Sequence, residues 1–314
     1  MLRTKASALC VATLLFLGTG TAFGQCSWST KVVLTQTTSD QPGLAAYTVS
    51  GTNKIVLAYV GTDSNRTLNV MTFTNGTSWG SQTPLKGWQS SYGVALGGAN
   101  FVGGCAYLIM AWPNRSNNVL YAADSADSYH WSGPVSLQDV ISSTPAIDAY
   151  LGDIAYRIKS TNLIAKMATG CSLAYVQSTY NFFDEISGCP FPNVCTTTSS
   201  GSPAVSIDSV VRAIAMGVNQ PIYAQIADGS IFQVGTSSST YSGYGITGAC
   251  VGANQYLAWR GGSGNINLWS SSTGTKVCSD TSNSAPTITS FNGALYVAWR
   301  SSNNTINIAS IPPF

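Results

Sequence analysis

The chain has 314 residues, room for one large or two ordinary domains, and 44% of them are hydrophobic, which excludes disorder. Only 8% are charged and the net charge is +2, with no clustered basic stripe of the kind nucleic-acid binding requires. With 31 glycines and abundant Ser, Thr and Asn, the composition suits short strands joined by tight turns better than helices.

Met1 to Gly24 begins with Arg3 and Lys5, runs through an apolar stretch from Ala8 to Leu17 and ends in Ala22-Phe23-Gly24. This is the pattern of a secretory signal over residues 1–24, and its apolar run is too short to span a bilayer comfortably. Cys26 invites a lipoprotein reading, but Gln25 precedes it where a small residue is needed. No later stretch is long and apolar enough to cross a membrane as a helix. Residues 25–314 are therefore expected to form one exported domain, extracellular or periplasmic, monomeric and without a membrane span. Without Arg3 and Lys5 that domain carries twelve basic and twelve acidic residues.

Seven cysteines follow the leader: Cys26, Cys105, Cys171, Cys189, Cys195, Cys250 and Cys278. An exported chain oxidises what it can, and an odd count leaves at least one thiol over. With no Cys-x-x-Cys pair and a single histidine, no metal site and no cofactor is expected.

The rest of the chain repeats one unit. Its clearest copy is the last: a short strand Pro286-Thr287-Ile288, an apolar strand ending in Ala298-Trp299-Arg300, a polar turn, and the alternating strand Ile306-Asn307-Ile308-Ala309. A single turn between two such strands makes an antiparallel hairpin. In chain order the Ala-aromatic (or Ala-Met) pairs are Ala58-Tyr59, Ala111-Trp112, Ala155-Tyr156, Ala215-Met216, Ala258-Trp259 and Ala298-Trp299. They stand about 40 to 60 residues apart, a period that marks propellers and solenoids. A first strand precedes each pair, beginning at Pro42, Gly93, Pro145, Pro203, Gly248 and Pro286. Third strands follow at Leu68, Val119, Leu163, Ile222, Ile266 and Ile306, and fourth strands at Trp79 to Leu85, Trp131 to Leu137 and Ile231 to Val234.

Four antiparallel strands in each of six copies predict an all-β, six-bladed β-propeller, since circular closure removes the open edges of so long a sheet. The sixth copy stops after its third strand, whereas Trp28 to Leu34 looks like a fourth strand without the first three. The N-terminal strand is therefore expected to close the last blade. An insertion in the third copy holds Cys171, Cys189 and Cys195, which predicts a local disulfide of Cys195 with Cys171 or Cys189.

The Ala-Trp-Arg strand, the segment Gly61 to Met71 and the hairpin Asn75-Gly76-Thr77-Ser78-Trp79 resemble the sialidase-like, BNR-type repeat proteins of bacteria. Many of these carry an Asp-box in the turn between third and fourth strands. Ser125-Ala126-Asp127-Ser128-Tyr129-His130-Trp131 is a shortened version, with degenerate ones at Asn75 to Trp79 and Asp228 to Phe232. The resemblance implies a structural turn, in which Asp127 holds local backbone amides and Trp131 plugs between strands.

Strand direction sorts the loops. Turns from second to third strand and connections from fourth strand to the next blade share one face, which in the sialidase-like fold carries the ligand. Arg157, Arg260 and Arg300 stand there at repeat-equivalent positions, and the resemblance implies a clamp for a sugar carboxylate. The plainer reading is that they cap turn carbonyls or pair with Asp40, Asp139 or Asp280. Asp63 lies on the same face. Trp88, Tyr92 and Tyr244, in the blade-to-blade connections, offer flat rings to a sugar.

Glycoside hydrolysis needs two carboxylates, or an acid with a Tyr nucleophile helped by Glu. The one glutamate after the leader, Glu185, falls on the opposite face, and the Arg-Ile-Pro motif of true sialidases is absent. No Gly-x-Ser-x-Gly elbow accompanies His130. The leading expectation is an exported carbohydrate-binding propeller without a full catalytic set, its partner a glycan or glycoconjugate. The alternatives are an exo-glycosidase of sialidase type and a protein-interaction or envelope scaffold.

Overall fold

The computed structural model describes residues 24–49, 52–74, 78–100, 106–147, 154–157, 159–160, 164–167, 179–181, 204–205, 212–215, 222–225, 231–234, 242–252 and 254–314. These residues form strands and turns, with no helix among them. The chain is an all-β, six-bladed propeller.

Ahead of the blades lie β1 (Gly24–Gln25) and β2 (Thr30–Thr37). Blade 1 holds β3 (Gly43–Val49), β4 (Thr52–Val60) and β5 (Thr67–Thr74), with β6 (Ser78–Trp79) and β7 (Thr83–Gln89) both paired to β5. Blade 2 is β8 (Ala95–Asn100), β9 (Ala106–Pro113), β10 (Val119–Ser125) and β11 (Ser132–Val140). Blade 3 is β12 (Ala146–Ile147), β13 (Ile154–Arg157), β14 (Ile164–Met167) and β15 (Thr179–Asn181). Blade 4 is β16 (Ala204–Val205), β17 (Arg212–Ala215), β18 (Ile222–Gln225) and β19 (Ile231–Gln233). Blade 5 is β20 (Ser242–Val251), β21 (Asn254–Gly261), β22 (Asn265–Ser270) and β23 (Gly274–Thr281). Blade 6 is β24 (Thr287–Phe291), β25 (Ala294–Arg300) and β26 (Thr305–Ile311), completed by β2.

The first strands surround a narrow axial cavity of about 70 Å³ lined by small and aliphatic residues, among them Gly43, Ala45, Ala95, Ala146 and Ala249. Small residues are needed where blades converge. A Cβ on Gly43 would stand 2.8 Å from the Val94 carbonyl oxygen, and one on Gly98 would stand 2.5 Å from that of Ala46. Away from the axis the blades bury larger side chains against one another. Trp112, Trp259 and Trp299 are each at most 1% exposed.

The N-terminal strand closes the ring as expected. β2 pairs antiparallel with β26, Thr30 opposite Ser310 and Val33 opposite Asn307. The strand begins at Thr30 rather than Trp28, because Trp28 turns aside to stack on Trp299. Just upstream, β1 pairs parallel with β23, and a Cys26–Cys278 disulfide fastens the segment to blade 5. The sequence did not suggest this bond. The pairing expected among Cys171, Cys189 and Cys195 lies outside the described residues, as does Glu185. In blade 1 the expected fourth strand is split at Gly80, whose N–H donates to the Thr72 carbonyl.

Adjacent blades are tied by a repeated backbone latch. In each described turn from second to third strand one residue adopts a left-handed backbone: Arg66 (φ 53°), Asn118 (58°), Gly264 (93°) and Asn304 (68°). Their carbonyls accept from Ser90, Ile141, Ser282 and Thr38, where each fourth strand ends. The next residues, Ser39, Ser91 and Asn283, donate across to Val60, Pro113 and Arg300 at the end of the following blade's second strand. Asn and Gly suit the left-handed region, while Arg66 is anchored there by its Nε donating to Ser90 O at 2.7 Å.

The opposite face carries the Asp-box-like turn. Asp127 Oδ1 accepts from the Tyr129 and His130 amides at 2.8 and 2.7 Å, and Trp131 packs onto the core between blades 1 and 2. Desolvation works against the Asp127 charge. The His130 ring and the two amides outweigh it and hold the carboxyl below the usual carboxylate range.

Candidate functional site

The latch defines equivalent positions around the ring. Two residues before each latch donor stand Trp88 in blade 1, Asp139 in blade 2, Asp280 in blade 5 and Gln36 in blade 6. Each borders the groove in which the next blade presents its second-strand aromatic. We number a groove by the blades on either side of it.

In groove 1/2, Trp88 stacks on Trp112 with centroids 5.1 Å apart. In groove 2/3, the Tyr156 hydroxyl donates to Asp139 at 2.5 Å. In groove 5/6, Asp280 accepts the Trp28 indole N–H at 2.7 Å, and Trp28 covers Trp299 with centroids 5.5 Å apart. Lys31 also pairs with Asp280.

Groove 6/1 is different. Gln36 faces a blade whose aromatic is Tyr59, and between them opens a cavity of about 440 Å³. Its lining is mostly polar, including Thr37, Tyr59, Asp63, Asn69 and Gln82. Tyr59 is 1% exposed and its hydroxyl has no hydrogen-bond partner among the described residues. Burial pushes that phenol up, so at neutral pH it remains a donor. Asn69, opposite Tyr59 in the β4–β5 pairing, donates to Thr67 O at 2.8 Å and accepts from Gln82 Nε2 at 2.7 Å. Asp63 Oδ1 accepts from Asn65 N and Thr67 Oγ1 at 2.9 and 3.1 Å. Gly61 permits this arrangement, since a Cβ there would sit 2.5 Å from Asp63 Oδ2 and 3.1 Å from Asn69 Nδ2.

The sequence-predicted residues fall into separate places. Asp63 lines groove 6/1, while Trp88 is half-buried in groove 1/2 at the end of β7. Tyr92 is half-buried in the connection that follows. Tyr244 lies within β20 rather than in a connection, and Arg157 ends β13. Arg260 donates through Nε to Ser282 O at 2.6 Å, and Arg300 through Nε to Asn304 Oδ1 at 2.8 Å. Each is thus held by a loop of its own blade. Of the carboxylates expected to pair with Arg157, Arg260 or Arg300, Asp40 is paired instead with Arg66, whose Nη2 stands 3.6 Å from Oδ2. Burial outweighs the Gln41 amide and the Arg66 and Arg300 charges, leaving the Asp40 carboxyl above the usual range. Asp139 and Asp280 take other partners. Tyr59, Asn69, Gln82 and Gln36 were missed. The available signal was Tyr59 at a position where three other blades carry Trp.

Among the described residues no cluster of three or more His, Cys, Asp or Glu could hold a metal ion. No helix among them is long and apolar enough to cross a membrane.

No protein-family model matches the chain, and no curated protein matches it. Solved structures do match in fold. A fucose-specific lectin from Aleuria aurantia is 13% identical, with TM-score 0.55 over 88% of this chain and 93% of its own. Another structure of that fungal lectin, described as a six-bladed β-propeller with a novel fucose recognition mode, is 11% identical with TM-score 0.53, covering 88% and 92%. At such identities the likeness concerns the fold.

Proposed function

We propose that the protein is an exported carbohydrate-binding propeller that takes its glycan on the face carrying the second-to-third turns. The observation that carries this reading is groove 6/1. It is ligand-sized, mostly polar, and bordered by a buried phenol whose hydroxyl has no partner among the described residues, whereas the equivalent grooves 1/2, 2/3 and 5/6 are occupied by the chain's own side chains. Sites of a few hundred cubic ångströms with convergent polar groups suit small ligands, and hydroxyls and amides suit a sugar. The lectin neighbours support the reading at the level of fold, and fucose is one sugar to try first. The Cys26–Cys278 disulfide and the leader pattern favour export. The sialidase relation rests on the repeat motifs.

Hydrolysis has less behind it. Asp63 is engaged by its turn, Asp139 by Tyr156, and Asp280 by Trp28 and Lys31. A glycan array probed with residues 25–314 is the test. Selective retention of a glycan set is the expected result, and a flat array overturns the proposal.

A further inference from the structure

Resting on the glycan-binding reading, we infer that groove 6/1 is the binding site, that it takes one uncharged sugar unit, and that Gln36 is the residue that keeps it open. The charge argument is local. Among the described residues no lysine, arginine or histidine lines the groove, and the one ionisable acid in its wall is Asp63. An acidic sugar would set its carboxylate beside that of Asp63 with no cation to offset the repulsion. A neutral sugar meets no such cost, and its hydroxyls can both give and accept hydrogen bonds.

The wall is prepared for that exchange. The Tyr59 hydroxyl lacks a partner among the described residues and is closed to solvent in the empty groove, so a sugar that shifts the wall enough to reach it gives it one without first breaking a protein bond. Gln82 spends an amide N–H on Asn69 and keeps its carbonyl oxygen as an acceptor. Thr37 and Thr62 bond each other at 2.7 Å and fix the rim between blades 6 and 1. One wall, Thr35 to Thr37, belongs to the ring-closing β2.

The role of Gln36 follows from the repeats. At its position blade 1 has Trp88, and that indole covers the aromatic of the next blade. Blades 2 and 5 have aspartates that hold a phenol and an indole there. Blade 6 has Gln36, whose Oε1 takes a bond from the neighbouring Thr35 hydroxyl at 3.3 Å. Groove 6/1 stays unfilled.

The test copies the filled groove into the open one. Isothermal titration of residues 25–314 would use the methyl glycosides of fucose, galactose and mannose, with the methyl glycoside of N-acetylneuraminic acid as the acidic probe. A neutral glycoside should bind and the acidic one should not. Gln36→Trp should weaken binding by more than about tenfold, and Tyr59→Phe, which removes one hydroxyl, by about five- to tenfold. Tyr59→Phe changes so little volume that folding is not in question. Preference for the acidic glycoside overturns the ligand class. Wild-type affinity in both variants overturns the location while leaving a sugar-binding protein. If none of the four probes binds and the array is also flat, the glycan-binding reading falls and this inference with it.

Discussion

Trp28 stacks on Trp299 with ring centroids 5.5 Å apart and planes inclined by 21°. Its indole N–H reaches Asp280 of blade 5, so one side chain from the N-terminal segment touches both blades it joins. Trp28→Ala removes the stack, the charge-assisted bond and part of the core between these blades. The expected loss is about 2–4 kcal/mol, below the about 3–5 kcal/mol of a fully buried Trp→Ala change because Trp28 is only half-buried. Urea unfolding at neutral pH measures it. An unchanged midpoint would mean that β2 pairing alone closes the ring.

The disulfide works on the same segment from the other side. Cys26 and Cys278 lie 252 residues apart, so the bond restricts nearly the whole unfolded chain. Removing it with Cys26→Ser and Cys278→Ser should cost about 2–5 kcal/mol. Thiol labelling of the unreduced wild type should leave both residues unmodified. Ready labelling of either would contradict the pairing.

The ring closure was legible in the sequence because a missing strand and a surplus strand leave a compositional trace at the two ends. Its fastening was not. Cys26 and Cys278 come together only when β1 lies along β23, a parallel pairing that no local spacing announces. The site divides the same way. Asp63 could be placed on the face of the second-to-third turns from strand direction alone, but the importance of Tyr59 appears only when Trp88, Asp139 and Asp280 are seen to fill the sister grooves. Arg260 and Arg300 stood for a clamp only through the sialidase resemblance, at repeat-equivalent positions. Repeat equivalence equally explains why each bonds a loop of its own blade.

Asp127 gives a pH dependence of defined sign. Its folded carboxyl is held below the ordinary value, so its contribution to stability is fully present above the unfolded pKa, near 4, and is lost as pH falls through the folded value. Asp127→Asn keeps the shape and removes the charge. The stability gap between wild type and variant should narrow steadily as pH falls below about 4. Thermal midpoints across that range would show it, and a gap independent of pH would deny the carboxylate its role.

Gly61 is where fold and site meet most closely. It has no left-handed backbone to excuse a glycine, so the requirement is steric: a Cβ would press on Asp63 Oδ2 at 2.5 Å and Asn69 Nδ2 at 3.1 Å. Both belong to the wall of groove 6/1. Gly61→Ala must move the carboxylate, the amide or the β4–β5 turn. Overpacking of this kind costs about 1–3 kcal/mol, and the Asp63 side chain has room to swing outward because it lies at an exposed turn. We therefore expect a destabilisation toward the lower end of that range. Moving Asp63 and Asn69 also changes what a bound sugar meets, so affinity should fall further than the stability change alone predicts. The comparison that decides is with Gly252→Ala on a blade 5 turn, where the left-handed backbone (φ 60°) strains an alanine but its Cβ meets nothing within 4 Å, so that variant is destabilised without any change in the groove. If both variants bind a neutral methyl glycoside equally well, the wall around Asp63 and Asn69 does not shape recognition.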